Sequence, residues 1–251
     1  MLKIGGYQKL SLQDFPGHVA ALCFTSGCQL RCPYCHNPEL VLPKNSHAES
    51  YAARHTAFFD YLSERRHLID AVVISGGEPL IQKDLIDTLH TIRQMNLAIK
   101  LDTNGLCPDV LERILGDGLI DYVSLDYKNI WTHWPQTVGL RKQSKTYQLY
   151  EAWSASLQLL QQSPIAFELR TTVIRELHPP KILEDMALDL HARGATQSAW
   201  FLQTYTHTGA QLRDWLPHTP PISLSAYSLE EMRQIEQSLK PWTPAVQLRI
   251  H

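Results

Sequence analysis

The sequence has little excess charge of either sign: 23 Lys and Arg stand against 25 Asp and Glu, a formal net charge of -2 over 251 residues. Such a balance builds no strong field toward nucleic acid or an anionic membrane, and no run of like charges forms a binding tail, so neither partner is expected. Long hydrophobic runs are also missing: no segment reaches transmembrane length. Met1 to Leu10 mixes polar and apolar residues, without the basic region and apolar stretch of an export signal. The expected location is the cytoplasm. Cysteine is scarce and odd in number, with Cys23, Cys28, Cys32, Cys35 and Cys107, which argues against a disulfide framework where thiols stay reduced. No internal repeat, low-complexity tract or long linker divides the chain.

What is present is an alternation of strands and helices in an ordinary globular composition, 44% hydrophobic and 19% charged. Apolar runs over Val19 to Phe24, Ala71 to Ser75, Leu97 to Leu101, Ile120 to Leu125, Ile165 to Val173 and Ala199 to Tyr205 predict strands. Between them, helical spacing recurs at Tyr51, His55, Phe58 and Leu62, at Ile81, Leu85, Leu89 and Ile92, and at Leu149, Trp153, Leu157 and Leu160. Further helices are expected around Val110 to Leu115 and Ile182 to Ala192. Six strands separated by helices imply βα units and a parallel sheet. Polar, Gly-rich or Cys-rich groups follow strand after strand, as at the active-site end of an α/β barrel, and an open or partial (β/α)6 barrel fits best. Pro217, Pro220 and Pro221 mark a loop; Ser228 with Glu231 forms a capping-box pattern for a last helix to about Leu239, and Val246 to Ile250 suits a short last strand. One domain is expected over 1–251, with its core at about 18–206 and the terminal helix and strand within 222–251.

Cys28, Cys32 and Cys35 have C-x3-C-x2-C spacing in a loop after the first predicted strand. Three sulfurs so close can converge on one metal centre. A structural zinc site normally takes four protein ligands, and no second CxxC or HxxxH pair occurs. His36 directly follows Cys35 and would strain a closed tetrahedral site, and a ferredoxin-type electron-transfer cluster would also want four cysteines. Cys107 lies two strands further on and reads as a buried structural thiol. A four-iron cluster on three thiolates would keep one iron open for a substrate or cofactor, as a catalytic zinc keeps a vacant site.

Cys28, Cys32, Tyr34 and Cys35, with the aromatic just before the last cysteine, resemble the radical S-adenosylmethionine (SAM) superfamily. The resemblance implies one 4Fe-4S cluster whose open iron chelates SAM. Its electron would cleave the sulfonium to methionine and a 5′-deoxyadenosyl radical that abstracts hydrogen, with Tyr34 against the adenine.

Other strand ends add to this. Ser75-Gly76-Gly77-Glu78-Pro79 lets backbone approach a ligand and offers a carboxylate to an ammonium group; by chemistry alone a tight turn with an exposed acid serves equally well. It matches the family's GGE motif, which binds the methionine amino group. Leu101-Asp102-Thr103-Asn104-Gly105 and Ser124-Leu125-Asp126-Tyr127-Lys128 bring acids to two neighbouring strand ends, where they want a cation, a Lys partner or hydrogen bonds. Both resemble the DTNG and DxK segments of glycyl-radical-enzyme activases, which implies cofactor-binding roles for Asp102, Asn104, Ser124, Asp126 and Lys128 and a monovalent cation near Asp102 and Asp126. Glu168, Arg170 and Thr172 alternate on one strand face; the expectation is an internal Glu168–Arg170 pair, with Arg170 otherwise able to meet the cofactor. His207 could reach the same mouth or stand in solvent.

Cys35-His36-Asn37-Pro38 and the Asp14-Phe15-Pro16-Gly17 turn resemble the same activase group, most closely the activating proteins of anaerobic ribonucleoside-triphosphate reductase, over roughly residues 8 to 205. His36 and Asn37 join the implied cofactor-binding set. Tyr127, where an aliphatic residue is expected, and the aromatic stretch Trp131 to Leu140 depart from the pattern. The absence of a second Cys-rich insert between Cys35 and Gly76 separates the chain from activases with a ferredoxin-like domain. The implied substrate is a glycine Cα of a partner enzyme, with a flavodoxin- or ferredoxin-type electron donor. The alternatives are activation of another glycyl radical enzyme such as pyruvate formate-lyase, a radical enzyme of small molecules, and a non-catalytic iron-sulfur or zinc protein.

Overall fold

A computed structural model describes residues 1–42, 48–140, 143–207, 209, 211–216 and 223–250. The prolines expected to mark a loop, Pro217, Pro220 and Pro221, lie outside these residues. Eight strands form one sheet in chain order: β1 (Ile4–Ser11), β2 (Ala20–Thr25), β3 (Ala71–Gly76), β4 (Ala98–Thr103), β5 (Tyr122–Asp126), β6 (Ala166–Val173), β7 (Ala199–Thr204) and β8 (Val246–Arg249). β1 pairs antiparallel with β2, whereas β2–β3, β3–β4, β6–β7 and β7–β8 are parallel. With β1 and β8 at its two ends, the sheet is open.

Six strands therefore appear as expected, β8 fills the short last strand, and β1 is an addition. Its sequence, IGGYQKLS, carries two glycines and shows the burial order of an edge strand, buried only at its first and last residues, so it lacks the alternation that marks a half-buried strand.

The chain divides into two compact units. The first comprises Met1–Gln29, Asn37–Ser124 and Ala152–Ala166; the second comprises Leu30–His36, Leu125–Glu151 and Phe167–His251.

In the first unit, α2 (Ala48–Arg65) buries Phe58 and Leu62, α3 (Leu85–Gln94) buries Leu85, Leu89 and Ile92, and α4 (Pro108–Gly116) buries Leu111 and Ile114. These are the three- and four-residue spacings of a single apolar helix face. A short helix, α1 (Pro38–Val41), follows the cysteine loop. On the sheet, Phe15 joins Ala20, Leu22, Ala71 and Val73 in a buried cluster. That contact explains the Asp14-Phe15-Pro16-Gly17 turn: Gly17 takes φ +80°, Ser11 Oγ donates to Asp14 Oδ2 at 2.5 Å, and the buried Lys100 Nζ donates to Asp14 O at 2.5 Å. The turn is fastened from both sides.

In the second unit, α5 (Trp134–Val138) buries Trp134 and Val138, α7 (Pro180–Ala192) buries Leu183, Met186 and Leu190, and α9 (Leu229–Leu239) buries Met232, Ile235 and Leu239. α6 (Gln143–Gln162) begins in this unit and α8 (Leu212–Trp215) is a single turn. The capping box forms: Glu231 N donates to Ser228 Oγ at 3.2 Å and Ser228 N to Glu231 Oε2 at 2.7 Å. Tyr127 is fully buried, and its hydroxyl donates to Asp189 Oδ2 at 2.8 Å. Tyr150 donates to the same oxygen at 2.8 Å, and Arg193 Nε lies 3.0 Å from both Asp189 oxygens. A tyrosine replaces an aliphatic residue here because a half-buried carboxylate is waiting for its hydroxyl.

Candidate active site

The strand that ends at Thr25 runs straight into the cysteine loop. In the first unit, Gly76 adopts φ +112° and a Cβ there would stand 2.6 Å from Thr25 O; a Cβ on Gly77 would collide with the carbonyl of Gly27. The close approach that requires these glycines is to the chain's own backbone just ahead of Cys28. Gly77 N donates to Thr25 O and Glu78 N to Gly27 O, each at 2.8 Å.

Glu78 is buried, 1% exposed. Its Oε1 accepts from Leu80 N at 3.0 Å and from Thr103 Oγ1 at 2.6 Å, and its Oε2 from Asn104 N at 2.8 Å. The acid of the GGEP stretch is thus bound to the end of β4, and Thr103, which the sequence reading did not single out, is one of its holders. Asp102 also sits at this strand end, where Lys100 Nζ lies 3.2 Å from Oδ1 and Ser75 Oγ donates to Oδ2 at 3.2 Å. Asn104 Nδ2 points at Cys28 Sγ, 3.9 Å away. Cys107 is half-buried at the N-terminus of α4, where burial first, then the charges of Glu78 and Asp109, push its thiol up to about 11. It is therefore a helix-end thiol rather than a core one.

The second unit holds Cys32, Tyr34 and Cys35. Cys35 N donates to Cys32 O at 3.0 Å, closing a tight turn. A Cβ on Gly139, at φ +70°, would run into the carbonyl of Arg31, while Arg31 N donates to Val138 O at 3.0 Å. The aromatic stretch Trp131 to Leu140 thereby supports the loop, with Gly139 in the left-handed position that ends α5. Leu212 N donates to Cys35 O at 3.0 Å and Arg213 N to Pro33 O at 3.3 Å, so α8 satisfies two further loop carbonyls. His36 stacks on the buried Tyr205 at 5.8 Å, and Asn37 is exposed at the start of α1.

Lys128 Nζ and Arg170 Nε both lie 3.0 Å from Asp126, on different oxygens. Burial pushes the Asp126 carboxyl up, but the two cations more than offset it and hold it below the usual range. Lys128 is held well above its usual value, its burial outweighed by Asp126. Burial raises the Cys32 thiol to about 11, against the pull of Lys128. Tyr34 donates its hydroxyl to that sulfur, and burial with the Cys32 charge holds Tyr34 well above its usual value.

Glu168 and Arg170, expected as an internal pair, each have a close partner on another strand. Arg170 meets Asp126, and the buried Glu168 takes Arg249 of β8, whose guanidinium donates to both oxygens at 2.7 and 2.8 Å. Residues two apart on a strand share a face yet stand about 7 Å apart, so each meets a partner on another strand first. Ser124 is fully buried on β5 and His207 exposed after β7. A residue not anticipated, the fully buried His178, clamps the Lys128 segment: its Nε2 is 2.8 Å from Lys128 O and its Nδ1 accepts from Ile174 N at 3.1 Å. Burial depresses its pKa to about 4, so it is neutral at pH 7.

Among the described residues, no group of three or more His, Cys, Asp or Glu side chains forms a ready-made metal site. Cys28, Cys32 and Cys35 form no disulfide; Asn104 faces the first, and Tyr34 and the Lys128 cation serve the second. A donor at the Cys28 sulfur in the first unit, and a donor with a positive charge at the Cys32 sulfur in the second, each fit a thiolate ligand of an anionic cluster.

The Radical SAM superfamily model matches residues 22–177. The "Putative glycyl-radical enzyme activating enzyme MJ1227" of Methanocaldococcus jannaschii is 31% identical over 186 residues, 73% of each chain. The pyruvate formate-lyase-activating enzyme of Clostridium pasteurianum is 33% identical over 134 residues, 52% of this chain and 54% of that one. Among solved structures, a radical SAM methyltransferase from Sphaerobacter thermophilus shares the fold with a TM-score of 0.63 at 18% identity, over 94% of this chain and 67% of that one. The chain belongs to the radical SAM superfamily and, within it, to the glycyl-radical enzyme activating group. An iron-sulfur cluster and SAM follow from that membership, and the open α/β sheet matches the partial-barrel fold expected from the sequence.

Proposed function

We propose that this chain installs a glycyl radical on anaerobic ribonucleoside-triphosphate reductase, a protein partner. The observation that carries the proposal is the run Cys28-x3-Cys32-x-Tyr34-Cys35-His36-Asn37-Pro38 in a chain of the activating group. In this reading Cys28, Cys32 and Cys35 hold the 4Fe-4S cluster. Glu78 receives the SAM amino group beside Gly76 and Gly77, and Lys128 or Arg170 faces its carboxylate. Tyr34, His36, Asn37, Asp102, Asn104, Ser124 and Asp126 complete the surroundings, and His207 is the outermost member. When bound, cluster and SAM supply one-electron reductive cleavage and hydrogen-atom abstraction.

The chain's own residues prepare for this. Cys32 must lose its proton on ligation, which its raised pKa opposes and the adjacent Lys128 cation favours. Asp102 is paired with Lys100, and Asp126 with Lys128 and Arg170. Both acids are neutralised from within, so the monovalent cation that the resemblance implies has no place in the proposal. A flavodoxin- or ferredoxin-type donor in the cytoplasm would deliver the electron. No helix among the described residues is long and apolar enough to cross a membrane.

The second reading, favoured by likeness to the Clostridium pasteurianum protein, is pyruvate formate-lyase as partner. Anaerobic SAM cleavage, assayed with each candidate partner and followed by electron paramagnetic resonance, separates the readings. A glycyl radical on the reductase supports the first and one on the lyase the second. SAM cleavage with neither radical moves the reaction to a small molecule, and one zinc per chain without SAM cleavage ends the radical reading. Cys32→Ala is expected to abolish the cluster absorbance while the far-ultraviolet circular dichroism is kept, since the loop lies outside the helices and strands.

A further inference from the structure

Asn104 is buried, 5% exposed, and its backbone N–H and both polar side-chain atoms have defined partners. Its backbone N–H is held by Glu78 Oε2 at 2.8 Å. Its side-chain Oδ1 accepts from Leu106 N at 3.1 Å and from Gln29 Nε2 at 3.4 Å. A backbone N–H can only donate, so the atom facing Leu106 must be the amide oxygen. The amide therefore has one orientation, and its NH2 is turned to Cys28 Sγ at 3.9 Å.

An N–H aimed at a cysteine sulfur stabilises negative charge there. Reduction adds an electron to a cluster, and part of that charge resides on its thiolates. A donor at a ligand sulfur thus favours the reduced form, and hydrogen bonds to the sulfurs are one of the levers that set cluster potentials. We infer that Asn104 is a positioning residue for Cys28 that raises the reduction potential of the cluster, its amide locked by Glu78, Leu106 and Gln29. The inference rests on the proposal that Cys28 is a cluster ligand. It gives the GGEP acid a task besides cofactor binding, since Glu78 fixes the residue that addresses the sulfur.

The test is a redox titration of the reconstituted full chain, with iron counted on the same samples. Asn104→Leu removes the donor; Asn104→Asp keeps the size and the acceptor for Leu106 N but turns an oxygen toward Cys28. Both variants are expected to bind as much iron as the wild type. At a fixed potential their ratio of reduced to oxidised cluster should fall by about three- to tenfold, a tenfold fall being about 59 mV for one electron, with the greater fall in Asn104→Asp. Full iron content and an unchanged potential in Asn104→Asp overturns the inference and leaves the cluster assignment standing. Loss of the cluster from both variants also overturns it, because a residue that only tunes the potential is dispensable for assembly. A wild-type chain that takes up no cluster ends the underlying proposal, and the inference with it.

Discussion

The cysteine loop is supported differently at its two ends. Ahead of Cys28, Gly77 lets the strand-end backbone close on Gly27, and the neighbouring acid, Glu78, is held by two backbone N–H groups and a hydroxyl. Ahead of Cys32, Gly139 does the same for Arg31, but the acid in that unit, Asp126, is held by two cations, and the segment beyond it is clamped by an uncharged histidine. Neutral donors fix a carboxylate in place and are costly to abandon when buried, whereas long, part-buried cations can swing to another acceptor when one is altered. The first end is built for rigidity, and the second for adjustable charge beside a thiol.

Substituting the glycines tests both ends with the largest expected effect. Gly139→Ala adds a backbone collision to a left-handed φ and should cost about 3 kcal/mol or more. Gly77→Ala should cost about as much from the collision alone. Thermal unfolding measures the loss, and hydrogen exchange should report it at residues 30–36 for the first and at residues 25–28 for the second; spread over the whole chain in both cases, the protection loss would refute separate supports.

A pH titration isolates the second end. His178 in the unfolded chain takes up a proton below pH 6.5, whereas in the fold it stays neutral down to about 4. The unfolded state therefore binds more protons in this window, so the stability present above pH 6.5 is lost as pH falls toward 4, by about 3 kcal/mol in total. Denaturant unfolding across the window should show this slope, and His178→Gln should flatten it.

The smallest effect sharpens the contrast between the acids. Glu78→Ala leaves three buried donors without their acceptor and should cost about 3 kcal/mol. Asp126→Asn removes the charge but keeps an amide oxygen that can accept from Lys128 or Arg170, and should cost about 1 kcal/mol. Equal losses in chemical denaturation would remove the distinction.

Much of the frame is legible in sequence because apolar runs and helical stripes report burial along a single element. Val19 to Phe24 and Ala71 to Ser75 show this for β2 and β3, and Ser228 with Glu231 for the start of α9. β1 is not legible, since an edge strand with two glycines buries too little to leave a pattern. The cysteine spacing points to the chemistry, but what addresses the Cys28 sulfur depends on a contact remote in sequence: Asn104 lies 76 positions from Cys28. The partner of Glu168 was hidden for the same reason, because the strand that brings Arg249 is 81 positions away. Glycine after α5 was a readable signal for a left-handed helix end, but its close approach to Arg31 was not.

The two bonds from α8 to the loop, Leu212 N to Cys35 O and Arg213 N to Pro33 O, have a consequence for how the protein is made. The carbonyls are synthesised early and their partners late. At roughly 5–20 residues per second, on the order of ten seconds separate the two on the ribosome. During that interval the carbonyls of Pro33 and Cys35 lack the partners that the finished fold gives them.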